Sequence, residues 1–233
     1  MTDAPRTARA IARAELTRAI LDRAGEQLAE VGPAALSVRA IARDLGMASS
    51  AVYRYFPSRD ALLTALIVEG YDDLAGTMEA ADAGVARRDR LDLRWRALCH
   101  ALRDWAKIQP HRYALLYGSP VPGYAAPDDT VPDASRVTFA LLGIVRDAQV
   151  AGAAPVAPRK VSKAERAALA PVMAFVEPAL APAMAVRGAI AWATLFGQVS
   201  LELFGHMYRG VLDYDAHFDQ VVDQLAADLG ITG

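Results

Sequence analysis

Asparagine is absent from the 233-residue sequence, and only one cysteine, Cys99, is present. A lone cysteine excludes a disulfide within the chain and fits a reducing compartment. The first residues lack the apolar run of a signal peptide. The longest uncharged apolar window near the C-terminus covers residues 188–201, which is 14 residues and too short to span a bilayer. We therefore expect a cytoplasmic protein.

No run of residues alternates with period two, so strands and tight hairpins have little support. Apolar residues make up 54% of the chain and recur at spacings of three and four, which is typical of amphipathic helices. The pattern predicts an all-α fold. Caps and breaks at Gly32-Pro33, Ser37, Gly46, Ser49 or Ser50, Pro57 and Ser58 divide the first part of the chain into four helices.

The helices become longer beyond residue 83. Pro110 ends a helix with a single apolar stripe, and Pro/Gly-rich loops are predicted at residues 118–132 and 151–160. A helix lies between these loops, and two more are expected at about 183–208 and 215–229. The stripe consists of Leu91, Trp95, Leu98, Leu102 and Trp105. The predicted domains are residues 1–60, a linking helix at 61–82, and a larger helical body at 83–233.

Charge is distributed unevenly. Residues 1–60 contain nine arginines and seven acidic residues, a balance of 9 − 7 = +2, whereas the remainder contains 16 basic and 20 acidic residues, 16 − 20 = −4. So small an imbalance is weak evidence for a polyanionic partner, and the direction in which the arginines point matters more.

Two short helices joined by the stretch LGMA, with glycine at the bend, are the ingredients of a helix-turn-helix. A recognition helix must enter a groove about 12 Å wide, so small polar residues are expected at its start. Tyrosine hydroxyls and arginines can then contact phosphates. The predicted DNA contacts are Ser37, Arg39, Ser49, Ser50, Ala51, Tyr53, Arg54, Tyr55 and Arg59.

Other readings of these residues stay open. The ring of Tyr53 can serve packing, Arg54 can be a solvated surface charge, and Ser37 can act only as a helix cap. Arg6, Arg9 and Arg13 fit either a tail that reaches DNA or a solvated tail.

Residues 36–66, LSVRAIARDLGMASSAVYRYFPSRDALLTAL, resemble the DNA-binding head of the TetR family of bacterial regulators. The matching features are Leu36-Ser37, Ile41-Ala42, Leu45-Gly46, Val52-Tyr53-x-Tyr55-Phe56 and Arg59-x-x-Leu62. Arg59 stands where the family usually has lysine, and Met47 where valine is commoner. The stretch WATLFG at residues 192–197 is similar to a Trp-x-x-Leu-His-Gly signature of one C-terminal subgroup, with Phe196 in place of the histidine.

The resemblance implies a homodimeric repressor that a small hydrophobic or aromatic ligand releases from a pseudo-palindromic operator, with the fourth helix, residues 58 to about 82, carrying the signal. Its localisation would be cytoplasmic, and nucleoid-associated when bound to DNA. An activator or a ligand-independent regulator on the same fold is the alternative. The candidate ligand contacts are the aromatic residues of the middle helices, which are equally expected in a core: Trp95, Tyr113, Tyr117, Phe139, Phe175 and Trp192.

The penultimate helix is apolar nearly all round, so it needs cover on two sides, and an oligomer interface is a natural second cover. The final helix is expected to pair with it. The candidate dimer contacts are Ile190, Thr194, Gly197, Leu201, Phe204, Phe218, Val221 and Leu225.

An all-α enzyme is the rival class. Its best support is Glu202 and His206 at a spacing of four, beside Cys99-His100 and His111. One carboxylate and one histidine make an incomplete metal site. The sequence contains no nucleophile-elbow or phosphate-loop motif. No catalytic residue, metal or cofactor is therefore predicted.

Overall fold

The structure is a computed structural model that describes residues 8–127, 130–154 and 160–231. Across these ranges the chain forms eleven α-helices and no β-strand, which confirms the all-α prediction. The helices are α1 (Ala8–Val31), α2 (Val38–Asp44), α3 (Ser49–Val52), α4 (Arg59–Ala83), α5 (Leu91–Ile108), α6 (Pro110–Tyr117), α7 (Val131–Val150), α8 (Lys163–Ala168), α9 (Ala170–Ala174), α10 (Pro182–Leu203) and α11 (Tyr214–Asp228).

The chain divides into two compact units. The first consists of Met1–Gly70 with His111–Thr130, and the second of Tyr71–Pro110 with Val131–Gly233. The domain limits predicted from the sequence, at residues 60 and 82, concern function as well as packing and remain a prediction.

The first unit is built around one apolar core to which α1, α2, α3 and the start of α4 all contribute. Ile20, Ile41, Val52 and Leu62 are fully buried in it. Val121, from the segment after α6, belongs to the same core, with Leu115 and Tyr124 packed against it. The hydroxyls of Tyr124 and Thr64 lie 2.9 Å apart. A distant stretch of sequence therefore completes the core of the helix-turn-helix.

In the second unit, α5, α7, α10 and α11 pack against one another. The predicted stripe of α5 faces inward, because Trp95, Leu98, Leu102 and Trp105 are buried. The indole Nε1 of Trp95 donates to the carbonyl oxygen of Val222 at 3.0 Å, which joins α5 to α11. Cys99 is completely buried, and that burial raises the pKa of its thiol well above the usual range.

A buried ion pair also crosses the second unit. Arg103 is 3% exposed, and its Nε and Nη2 atoms each donate to a carboxylate oxygen of Glu202 at 2.8 Å. The guanidinium lies 5.0 Å from the centre of the Phe218 ring. The hydrogen bonds to Glu202 raise the pKa of Arg103. Since an isolated buried charge is costly, these contacts fix the register of α5 against α10 and α11.

In the second unit, two features differ from the sequence-based predictions. Helix α10 ends at Leu203, so Tyr208 lies outside it, whereas the pattern predicted a helix to about residue 208. Helices α8 and α9 were not predicted, because their alanine- and proline-rich sequences carry no apolar stripe.

None of the helices in the described ranges has the length and apolar character that crossing a membrane requires.

Candidate nucleic-acid interface

Helix α2 starts where the sequence predicts. The Oγ of Ser37 accepts a hydrogen bond from the backbone N–H of Ala40 at 3.3 Å, so Ser37 is the N-cap. The N–H of Ser37 donates to the buried Oε1 of Gln27 at 2.6 Å. A side chain of α1 therefore sets the position of α2.

The bend between α2 and α3 depends on glycine. Gly46 has a φ of +66°, a left-handed conformation that side chains disfavour. This conformation lets the N–H of Met47 donate to the carbonyl oxygen of Ala42 at 2.8 Å, which closes α2.

Helix α3 begins one residue earlier than the predicted serine caps require. Its N-cap is Ala48, which forms no side-chain cap, and Ser49 and Ser50 occupy the first turn. The cap prediction for these serines was therefore wrong. Their hydroxyls are not used for capping, and Ser50 is exposed.

The segment from α3 to Phe56 has a buried side and an exposed side. Val52 and Phe56 lie in the head core, which fixes the rotation of the segment. Tyr53, 42% exposed, and Arg54 point outward. Arg54 forms no ion pair with any residue that the structure describes. The six predicted DNA contacts of this segment thus differ in exposure. Ser50, Tyr53 and Arg54 are exposed, whereas Ser49, Ala51 and Tyr55 are half-buried.

Arg39 and Arg59 have different surroundings. Arg39 is exposed on α2 and has no carboxylate partner in the described part of the chain. The guanidinium of Arg59 donates instead to three carbonyl oxygens: Nη2 to Pro33 at 2.7 Å and to Ala34 at 3.1 Å, and Nε to Leu36 at 3.2 Å. These bonds hold the 3₁₀ turn between α1 and α2, a structural role that the sequence did not indicate. The predicted phosphate contact of Arg59 remains a prediction.

The predicted ligand-binding residues are divided between the two units. Tyr113 and Tyr117 belong to the first unit, with ring centres 5.2 Å apart, and Tyr113 is fully buried. Trp95 in the second unit has no exposed surface and is a core residue. Phe139 and Phe175 meet edge to face at 5.2 Å and are both partly exposed, so these two are brought together.

Trp192 is half-buried and packs on Phe196 with ring centres 4.7 Å apart. The two rings come from one turn of α10, within the WATLFG stretch.

The predicted dimer contacts separate by helix. On α10, Ile190, Leu201 and the adjoining Phe204 are exposed, and Thr194 and Gly197 between them are half-buried. These five form one stripe at spacings of four, three, four and three. On α11, Val221 is half-buried, but Phe218 and Leu225 are buried within the chain. Phe218 packs on His100 and Arg103, so it has no surface left for a partner.

The histidine, cysteine and glutamate residues that favoured an enzyme do not form a metal site within the described residues. No group of three or more His, Cys, Asp or Glu that could hold a metal ion occurs in the described ranges. Glu202 is occupied by Arg103, and His206 follows Gly205, whose φ of +76° comes after the end of α10.

A helix-turn-helix with an exposed polar face, joined to a separate helical unit, is the architecture of a DNA-binding transcriptional regulator. Residues 20–66 match the family model described as bacterial regulatory proteins, tetR family. Residues 95–225 match the model described as tetracyclin repressor-like, C-terminal domain.

Relatives agree with these matches. The HTH-type transcriptional regulators Rv1816 of Mycobacterium tuberculosis and Mb1846 of Mycobacterium bovis are each 40% identical to this chain, over 94% of both chains. A crystal structure described as that of regulatory protein SCO4313 is 34% identical, covers 95% of this chain and 98% of its own, and has a TM-score of 0.76. PfmR of Thermus thermophilus, 18% identical with a TM-score of 0.57 over 88% of this chain and 96% of its own, shares the fold.

The chain belongs to the TetR family of bacterial transcriptional regulators. This confirms the resemblance drawn from residues 36–66, and it makes the protein a regulator and not an enzyme.

Proposed function

We propose that the protein is a homodimeric repressor that binds a pseudo-palindromic operator and is released from it by a small hydrophobic ligand. The observation that carries the proposal is the exposed face of the α3 segment, where Ser50, Tyr53 and Arg54 point away from the core. Such a protein acts in the cytoplasm, on the nucleoid when it is bound to DNA.

The chemistry of this face suits the major groove. Ser49, Ser50 and Ala51 are small enough to bring the backbone close to base edges. Tyr53 offers a hydroxyl to phosphate or a ring to a thymine methyl, and Arg54 offers charge. Ser37 and Arg39, at the start of α2, would contact the backbone on the other side of the groove.

Dimerisation is supported by the exposed apolar stripe of α10. Ile190, Leu201 and Phe204 expose between 43% and 50% of their surface, and the half-buried Gly197 between them allows close approach of a second helix. A dimer formed through this stripe carries two heads, and two heads read two half-sites. Val221 of α11 would border the contact, whereas Phe218 and Leu225 would not take part.

Release by a ligand is supported by one pair of aromatic side chains. Phe139 and Phe175 form a partly exposed aromatic pair in the second unit, which suits an apolar or aromatic molecule. A coupling of about 1–3 kcal/mol between ligand and DNA would weaken operator binding by about 5- to 150-fold. Activation uses the same contacts and differs only in where the operator lies relative to the promoter.

The experiment that tests the DNA contacts begins with selection of genomic fragments on the purified protein. Operator affinity is then measured by fluorescence anisotropy for Tyr53→Ala, Arg54→Ala and the control Arg87→Ala, an exposed arginine of the second unit. We expect the first two changes to weaken binding by at least tenfold and the control to leave it unchanged. Wild-type protein that selects no preferred sequence would refute the proposal.

The dimer contact is tested separately with two matched leucines. Leu201 and Leu93 are both 43% exposed, but only Leu201 belongs to the α10 stripe. Sedimentation should show Leu201→Asp as a monomer and Leu93→Asp as a dimer. A dimeric Leu201→Asp protein would place the interface elsewhere.

A further inference from the structure

The arginines of α1 form two groups with opposite surroundings. Arg18 is paired with Asp22 and Glu69, and Arg23 contacts Glu26, Glu30 and Asp44. The hydrogen bonds that both guanidiniums donate to these carboxylates raise the pKa of Arg18 and of Arg23. Arg9 and Arg13, at the N-terminal end of the same helix, have no carboxylate partner among the residues the structure describes. The second pair therefore carries positive charge that no carboxylate of the described residues compensates.

These two arginines line a groove with the end of the α3 segment. Arg9, Ala12, Arg13 and Leu16 form one wall, and Arg54 and Tyr55 form the other, around a volume of about 340 Å³. Three of the six lining residues are arginines and none is acidic. The groove is therefore suited to an anion.

Arg13 is held in place by an aromatic ring. Its guanidinium carbon lies 5.4 Å from the centre of the Tyr55 ring, a cation–π contact. Tyr55 is itself packed against the head core. A guanidinium restrained in this way loses less conformational freedom when it binds a phosphate oxygen than a solvated one does.

We propose that Arg9, Arg13 and Arg54 hold backbone phosphate of duplex DNA in this groove, beside the contacts of the recognition helix. The inference rests on the proposed DNA contact of the α3 face. Arg54 belongs to both surfaces, so a duplex that engages Tyr53 and Arg54 has its sugar-phosphate backbone next to α1. The groove offers positive charge and hydrogen-bond donors to phosphate. Because every nucleotide carries the same phosphate, the groove binds DNA independently of base sequence.

The test compares two double variants of equal charge change on one helix, Arg9→Gln with Arg13→Gln, and Arg18→Gln with Arg23→Gln. Affinity is measured over a salt series, both for the selected operator and for a random duplex of the same length. Each phosphate contact contributes about 0.9 to the slope of log affinity against log salt. We expect the first variant to reduce this slope by about one to two and the second to leave it unchanged.

Two further readouts separate the outcomes. The ratio of operator to random-duplex affinity should stay constant in the Arg9/Arg13 variant, and replacement of the same residues by lysine should restore most of the slope. An unchanged slope on the random duplex would overturn the groove, whether or not the operator is recognised. A loss of the operator preference with an intact slope would equally overturn it, since the residues would then read bases. Failure of the wild-type protein to prefer any sequence would instead refute the proposed function. The proposal for the groove would still be testable, because its salt slope can be measured on random DNA.

Discussion

The hydroxyl oxygens of Thr64 and Tyr124 lie 2.9 Å apart and join α4 to a loop that follows 60 residues later in the chain. Together with Val121 in the head core, this bond ties residues 111–130 to the helix-turn-helix. The stability of the DNA-binding head thus depends on the segment that contains Val121 and Tyr124. This segment lies outside residues 36–66, the stretch that resembles a TetR-family head.

Removal of the Tyr124 hydroxyl should lower the stability of the first unit. Because a typical internal hydrogen bond contributes about 1 kcal/mol, Tyr124→Phe should lower the free energy of unfolding by about that amount. Urea denaturation measures the change. Tyr208→Phe is the control, since that ring is 72% exposed and its hydroxyl should contribute nothing measurable. Equal stability of the two variants would show that the bond between Thr64 and Tyr124 is not formed in solution.

Arg59 should act on stability more than on DNA. Its guanidinium satisfies the carbonyl oxygens of Pro33, Ala34 and Leu36, so Arg59→Ala should destabilise the head by about 1.5–3 kcal/mol, as expected for bonds to a charged donor. Arg59→Lys should recover only part of this loss, because an ammonium lacks the planar fork. Arg39→Ala, at an exposed arginine, is the control and should change stability by less than about 0.5 kcal/mol.

A salt series on folded Arg59→Ala protein decides between the two roles. If Arg59 contacts phosphate, the slope of log affinity falls by about one, as the family resemblance implies. If it serves only the turn, the slope is unchanged.

Acid should destabilise the second unit through Asp82. Burial alone raises the pKa of this carboxyl, but hydrogen bonds from Arg94 and Arg88 outweigh it and hold the pKa below the ordinary value of 3.8. The folded state therefore binds this proton less tightly than the unfolded state does. Stabilisation by the carboxylate is complete well above pH 3.8 and is lost as the pH falls through the lower, folded-state pKa.

Asp82→Asn should consequently lower stability at neutral pH, by about 1–3 kcal/mol, and flatten the loss of stability in acid. Denaturation at a series of pH values measures both. Asp104→Asn, at an exposed carboxyl with no ion pair among the described residues, should leave the acid limb as steep as in the wild type. A steep acid limb in Asp82→Asn would assign the effect to other carboxylates.

Two glycine substitutions should have opposite signs. Gly46 has a φ of +66°, so Gly46→Ala should cost about 1–2 kcal/mol in strain although no atom lies within 4 Å of the added Cβ. Gly76 lies inside α4 with the same open space and no positive φ, so Gly76→Ala should stabilise by about 0.5–1 kcal/mol. Thermal unfolding measures both. A destabilised Gly76→Ala protein would mean that the open space is filled in solution.

Local signals in the sequence located most of the fold. Ser37 and Ser58 cap helices where expected, because each hydroxyl needs only an N–H three residues away. The same reasoning failed at Ser49, since Val52 and Phe56 must reach the core and their burial sets the start of α3. Packing overrides capping when the two compete.

Contacts between distant residues left no local signal. Nothing near Arg59 indicates that its partners are carbonyl oxygens more than 20 positions earlier, and nothing near Val121 indicates the head core. The spacing of aromatic residues does not predict their exposure either. Trp95 and Phe139 lie in similar patterns, yet Trp95 is fully buried and Phe139 is partly exposed. The outward position of Tyr53 and Arg54 was accessible to prediction, because the burial of Val52 and Phe56 leaves this segment one exposed face. Their contact with DNA stays a prediction.

The burial of Cys99 has a practical consequence for spectroscopy. Its sulfur is shielded and its thiolate disfavoured, so the natural chain offers no reactive thiol to maleimide reagents while it is folded. A single cysteine engineered at Ser50 or Leu201 would therefore take up a dye or spin label selectively, and distances between the labels of the proposed dimer could be followed without first removing the native sulfur.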